Sequence, residues 1–118
     1  MEPAIHNLTI YRDRDFSQTF YLKSLGVAMD LTGYTAKAEI RLVKDAEDLI
    51  VAFQVTVDPL IGSIEISLTD SQTILLNSDT FWDLVLTDPH GKRENYIEGS
   101  VKVLGTVTRG EAGGMEMG

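Results

Sequence analysis

The chain has 118 residues, 43% of them hydrophobic, which is enough for one domain with its own apolar core and too few for two. It contains no cysteine, and this excludes a disulfide framework, a thiolate metal site and a cysteine nucleophile. A formal net charge of −8 and a sequence pI near 4.5 repel phosphate backbones and anionic membrane surfaces, so neither nucleic acid nor membrane is expected as a partner.

The start, Met1 to Ile5, lacks the basic and apolar segments of a secretory signal. No apolar run approaches the roughly 18 residues of a membrane helix. The expectation is a protein made in the cytoplasm that stays there or leaves by a route needing no such signal. Asn7 to Tyr11 and Phe16 to Leu22 form two strands around a charged corner, Arg12 to Asp15. From Tyr34 to Leu42 the pattern has period two: residues 34, 36, 38, 40 and 42 are apolar, while Thr35, Lys37, Glu39 and Arg41 are polar. Side chains alternate faces along a strand, so one face is buried and the other wet. Leu49 to Val57 repeats the signal as a single strand, with Leu49, Val51, Phe53, Val55 and Val57 facing inward.

Asp58 to Gly62 links this strand by a hairpin to a shorter one, Ser63 to Thr69, with Ile64, Ile66 and Leu68 inward. Thr69 to Leu76 breaks the alternation. A capping residue, Asp70 or Ser71, precedes a short apolar run, which predicts one helical turn resting on the sandwich edge. Thr80 to Thr87 is again a strand, with Trp82, Leu84 and Leu86 inward and Phe81, Asp83 and Val85 outward. Asp88 to Gly91 is a turn, because Pro89 presets φ and Gly91 accepts a positive one. Lys92 to Ile97 and Ser100 to Thr108 make the last one or two strands, with a bulge or bend at Gly99.

Seven or eight short strands without alternating helices exclude a parallel βαβ architecture and predict an all-β, immunoglobulin-like antiparallel β-sandwich with one short helical turn. Trp82, Phe53 and Tyr34 are its expected large core residues. The sandwich spans 1–109, and 110–118, with four glycines, is a flexible tail or an arm that orders on a neighbour through Met115 and Met117.

A search for chemistry yields no catalytic, cofactor-binding or metal-ligating residues and no cofactor. His6 and His90 have no ligand-like spacing, and zinc needs three or four close ligands. None of the seven serines lies in a Gly-x-Ser-x-Gly setting, and no Gly-rich phosphate loop is present. Asp13 and Asp15, and the group Asp45, Glu47 and Asp48, lack the spacing and central glycine of a calcium loop and are expected to be solvated. The protein is expected not to be an enzyme.

The series Tyr11 to Lys23, then Asp30 to Arg41 (containing Asp-Leu-Thr-Gly-Tyr-Thr-Ala), Gly62 to Thr69, the turn Asp70 to Leu76, Trp82 to Gly91 and Glu98 to Val103 resembles the N-terminal domain of phage baseplate upper proteins and related small immunoglobulin-like phage tail proteins. The likeness covers most of residues 5–108; where the group often has Gly-Asp this chain has Arg12-Asp13. The resemblance implies a virion structural protein, localised in the particle, forming homo-oligomers and contacting other tail or baseplate proteins as an adaptor. Two rivals stand beside it. A carbohydrate-binding module needs exposed coplanar aromatics among Tyr11, Phe16, Phe20, Tyr21 and Tyr96. A small hydrolase or metal-dependent enzyme needs a pocket with convergent carboxylates or histidines.

Overall fold

The computed structural model describes residues 3–43 and 49–105. The strands run β1 (Ala4–Ile5), β2 (Leu8–Tyr11), β3 (Phe16–Tyr21), β4 (Lys23–Ser24), β5 (Val27–Ala28), β6 (Thr35–Arg41), β7 (Leu49–Ala52), β8 (Gln54–Asp58), β9 (Ser63–Leu68), β10 (Thr80–Thr87) and β11 (Arg93–Leu104), with one helical turn, α1 (Asp70–Thr73). The large sheet has the order β1-β11-β10-β6-β7, with β2 also on β11. It faces a three-stranded sheet, β3-β9-β8, and β4-β5 is a separate hairpin. This is the expected β-sandwich, with eight strands of four or more residues among the described residues.

The core lies between the sheets. Ile40, Leu84 and Val101 from one and Ile64 and Ile66 from the other have no exposed surface. Trp82 stacks on Phe20 with centroids 5.7 Å apart and meets Phe53 edge-on at 6.0 Å. Trp82 and Phe53 are thus core residues as expected, while Tyr34 is half-buried at the rim.

Several details of the strands differ from the sequence reading, and Leu49 is exposed instead of facing inward. First, Leu49–Val57 is not one strand. The Phe53 N–H still bonds the Ala38 carbonyl of the large sheet, but Gln54 pairs with Ser67 of the small one. Both sheets turn apolar faces to the same core, so alternation continues unbroken while the chain crosses the sandwich. Second, the sheets are not wholly antiparallel: β1 and β2 pair with β11 in parallel. Third, β6 ends at Arg41, and Leu42 is exposed instead of facing inward. Fourth, Gly99 lies inside one continuous strand, β11, and the bulge falls earlier, where Leu84↔Ile97 is followed by Val85↔Asn95.

The charged corner is a clasp on α1. The N-cap of α1 is Thr69, not Asp70 or Ser71, and its N–H donates to Gln72 Oε1 at 2.9 Å. Asp15 reaches across to accept the Asp70 N–H at 2.8 Å, satisfying one of the donors that a helix start leaves free. The buried Thr73 hydroxyl donates to the Arg14 carbonyl at 2.8 Å, and Arg12 Nη2 donates to the Ile74 carbonyl at 3.0 Å. The left-handed residue of this corner is Asp13, with φ +68°. Arg12 therefore replaces a glycine without left-handed strain, and aspartate tolerates the next position.

Candidate functional site

Strict alternation in β6 and β10 sends their odd-numbered residues outward, away from the core. Register then sorts the outer face of the large sheet into ranks. Arg41, Phe81 and Ser100 form one rank; Glu39, Asp83 and Glu98 the next; then Lys37, Val85 and Asn95; and last Thr35, Thr87 and Arg93. The second rank sets three carboxylates side by side on neighbouring strands, an arrangement that opposes folding.

Asp83 is the central and half-buried member. Burial pushes its carboxyl above the ordinary value, and the charges of Glu39 and Glu98 push the same way, while the Arg41 and Arg93 guanidiniums pull it back. Arg41 Nη2 bonds Glu39 Oε1 at 2.5 Å, and Asn95 Nδ2 donates to Glu98 Oε1 at 3.1 Å. The rank forms one side of an open cleft of about 290 Å³ whose apolar walls are Ile5, Val43 and Phe81. Ile5 is 67% exposed, Val43 54% and Phe81 37%. Large apolar side chains left in water around a concavity mark a contact surface. The arrangement can hold an apolar group with a positive end.

The alternation marked Glu39, Arg41, Phe81 and Asp83 as polar or outward-facing, and it gave no facing to Glu98, Ile5 or Val43. Nothing in the sequence shows that positions 39, 83 and 98 stand opposite one another, because that requires the strand register.

The other sequence candidates have structural duties or stand apart. Asp30 Oδ1 accepts the Thr32 N–H at 3.0 Å and the Thr32 hydroxyl at 2.6 Å, and these bonds hold its carboxyl below the ordinary value. Gly33 follows at φ +82° against Pro89, so Asp30–Gly33 is a turn built on its own hydrogen bonds. Asp88 Oδ1 accepts the N–H groups of His90 and Lys92, which hold its carboxyl low as well. His6 packs edge-on against Phe20, while His90 sits in the turn after β10, so the two histidines serve different parts of the fold. Among the described residues no group of three or more His, Cys, Asp or Glu side chains is placed to hold a metal ion. Asp45, Glu47 and Asp48, and the tail 110–118, lie outside the described residues.

The aromatic platform does not assemble. Phe16, Phe20 and Tyr96 pack against the core. Tyr11 lies under the Arg14 guanidinium, 5.2 Å from its ring centre, at the corner before β3, and Tyr21 ends that strand. A six-residue strand is roughly 20 Å long, so the two exposed tyrosines cannot form one sugar-stacking surface.

A comparison with curated proteins finds no match. A family model described as LtfC-like, beta-sandwich domain matches residues 2–104. LtfC is a phage-associated protein, which supports the phage β-sandwich domain implied by the resemblance; the match does not extend to the baseplate upper proteins in particular. With nearly the whole described fold inside the match, the chain belongs to the LtfC-like β-sandwich domain family.

Proposed function

We propose that the protein is a non-catalytic structural component of a phage particle, seated in the tail, baseplate or fibre-attachment region and acting through protein–protein contacts. The observation that carries this reading is the outer face of the large sheet. It presents a cleft walled by exposed Ile5, Val43 and Phe81 beside charged residues, where a protein working alone would show an evenly wetted strand face. The net charge of −8 favours protein partners over nucleic acid. Membership of a family named for a phage-associated protein supports the particle as the setting.

The test is mass spectrometry of purified particles of the encoding phage, with peptide amounts normalised to the major tail protein. A fixed small copy number is the expected result, and it would give the symmetry of the ring in which the copies sit. Abundance in infected cells with absence from particles overturns the proposal.

A further inference from the structure

The outer-face cleft also says what kind of group it receives. We propose that it is the docking site for an arginine or lysine side chain of a partner protein, the alkyl stem lying between Ile5, Val43 and Phe81 and the cationic head reaching the rank Glu39–Asp83–Glu98. This deepens the assembly reading and rests on it.

Two independent features converge on one occupant. The first is charge. Across β6, β10 and β11 the register places Glu39, Asp83 and Glu98 in direct opposition, with the Arg41 guanidinium on Glu39 at one end. Like charges opposed across strands disfavour a sheet, and a cation brought to the rank offsets that repulsion, as Arg41 and Arg93 already do in part at Asp83. The second is shape. The cleft holds about 290 Å³, and its walls carry three large apolar side chains that the fold leaves in water. A long basic side chain matches both features, since it buries an apolar stem and keeps its charge at the far end. The Phe81 ring adds a face over which a cation is attracted.

Other occupants fit worse. A second copy packed face to face with its two-fold axis through the cleft would set the carboxylate rank against its own equivalent, and opposed like charges select against that contact. A bare metal ion would leave the apolar walls unused, and among the described residues no three carboxylates are placed to ligate one. An anionic bilayer is repelled by a chain of net charge −8.

The test is an NMR titration of the ¹⁵N-labelled full chain at low ionic strength with N-acetyl-arginine-N-methylamide, set against the neutral N-acetyl-norleucine-N-methylamide. The expected result is saturable shifts at Phe81, Asp83, Glu98 and Ser100 with the arginine amide, a Kd on the order of millimolar, and none with norleucine. Asp83→Asn removes the central charge without changing shape and should weaken binding about tenfold. Absence of shifts overturns the inference. So do equal shifts with both amides, or shifts spread equally over Asp30, Asp58 and Asp88, which would show general attraction to acids. A chain present in particles whose cleft ignores the arginine amide overturns this inference alone. Cleft binding by a chain absent from particles overturns the structural role alone.

Discussion

The Trp82 indole N–H donates to the His6 carbonyl oxygen at 2.8 Å, joining residues 76 positions apart. The bond requires a detour in the parallel ladder. His6 donates its N–H to the Glu98 carbonyl, and in an unbroken ladder the Ser100 N–H would next donate to the His6 carbonyl. Here that carbonyl is taken by Trp82, and Asn7 Oδ1 accepts the Ser100 N–H instead, at 3.0 Å. Gly99, the register partner of Trp82, leaves the space through which the His6 carbonyl reaches the indole. The His6 and Ser100 N–H groups and the Trp82 indole N–H are thus all bonded at the point where β1 gives way to β2.

Trp82→Phe keeps a large apolar ring but removes the donor. It leaves the His6 carbonyl without the partner around which the ladder was rearranged, so a loss of about 1–3 kcal/mol is expected in urea unfolding. Trp82→Ala, which also opens a cavity beside Phe20 and Phe53, should cost about 3–5 kcal/mol. Equal stability of the Phe variant and the parent would show that the indole bond contributes nothing net.

Gly99→Ala tests the same crossing by steric means. A Cβ there would lie 2.2 Å from the His6 oxygen and 2.7 Å from its carbonyl carbon, both backbone atoms that cannot rotate away. The strand β1 must lift or the Trp82 bond must break, at about 1–3 kcal/mol or more. Hydrogen exchange should show lost protection at His6 and Ser100 before the rest of the sheet.

Asp83→Asn should stabilise the protein at pH 7 by about 0.2–1 kcal/mol at low salt, less as salt screens the rank. The sign follows from the raised carboxyl. In the folded state Asp83 keeps its proton to higher pH than the ordinary value of 3.8, so stability falls as pH rises from that value through the folded one, and the deficit persists above it. The advantage of the asparagine variant should therefore disappear below the ordinary value, where the parent is protonated in both states. An advantage that is flat across acid pH would exclude charge as its cause.

Leu25→Asn should raise stability by about 1 kcal/mol. The β4–β5 hairpin closes through Leu25 and Gly26, at φ +54° and +79°, the geometry of a two-residue I′ turn. Leucine is strained there and is wholly exposed, so it contributes no burial in return. Asparagine tolerates the conformation, and thermal unfolding should shift upward by roughly 4 °C. An unchanged midpoint would indicate that the turn relaxes in solution.

The sequence made the strands visible wherever one face was buried and the other wet, as in Thr35–Arg41 and Thr80–Thr87. It failed where tertiary pairing decides. Alternation carries no mark of strand direction, so the parallel pairing of β2 on β11 was hidden, and it carries none of sheet identity, so the crossing at Phe53 was hidden too. The hairpin at Lys23–Ala28 was missed because its turn is Leu25-Gly26, without the Asn-Gly or Asp-Gly that announces the type. Gly99 was legible as special, but close approach and bulging leave the same trace in a sequence. The candidate site was legible only in part: Glu39, Phe81 and Asp83 read as polar or outward-facing, Glu98 fell between two expected strands, and a three-strand rank exists only once register is known.

The parallel pairing of β2 with β11 has a mechanical consequence. The first described strands, β1 and β2, both run parallel to the last, β11, and the longer pair extends from Leu8↔Val101 to Tyr11↔Leu104. Tension applied to the two ends pulls these parallel strands past each other lengthwise. Every hydrogen bond of the pair then carries force at once and must fail together, whereas an antiparallel hairpin pulled from its open end unzips one bond at a time. The fold is built to resist stretching along the line of its own chain.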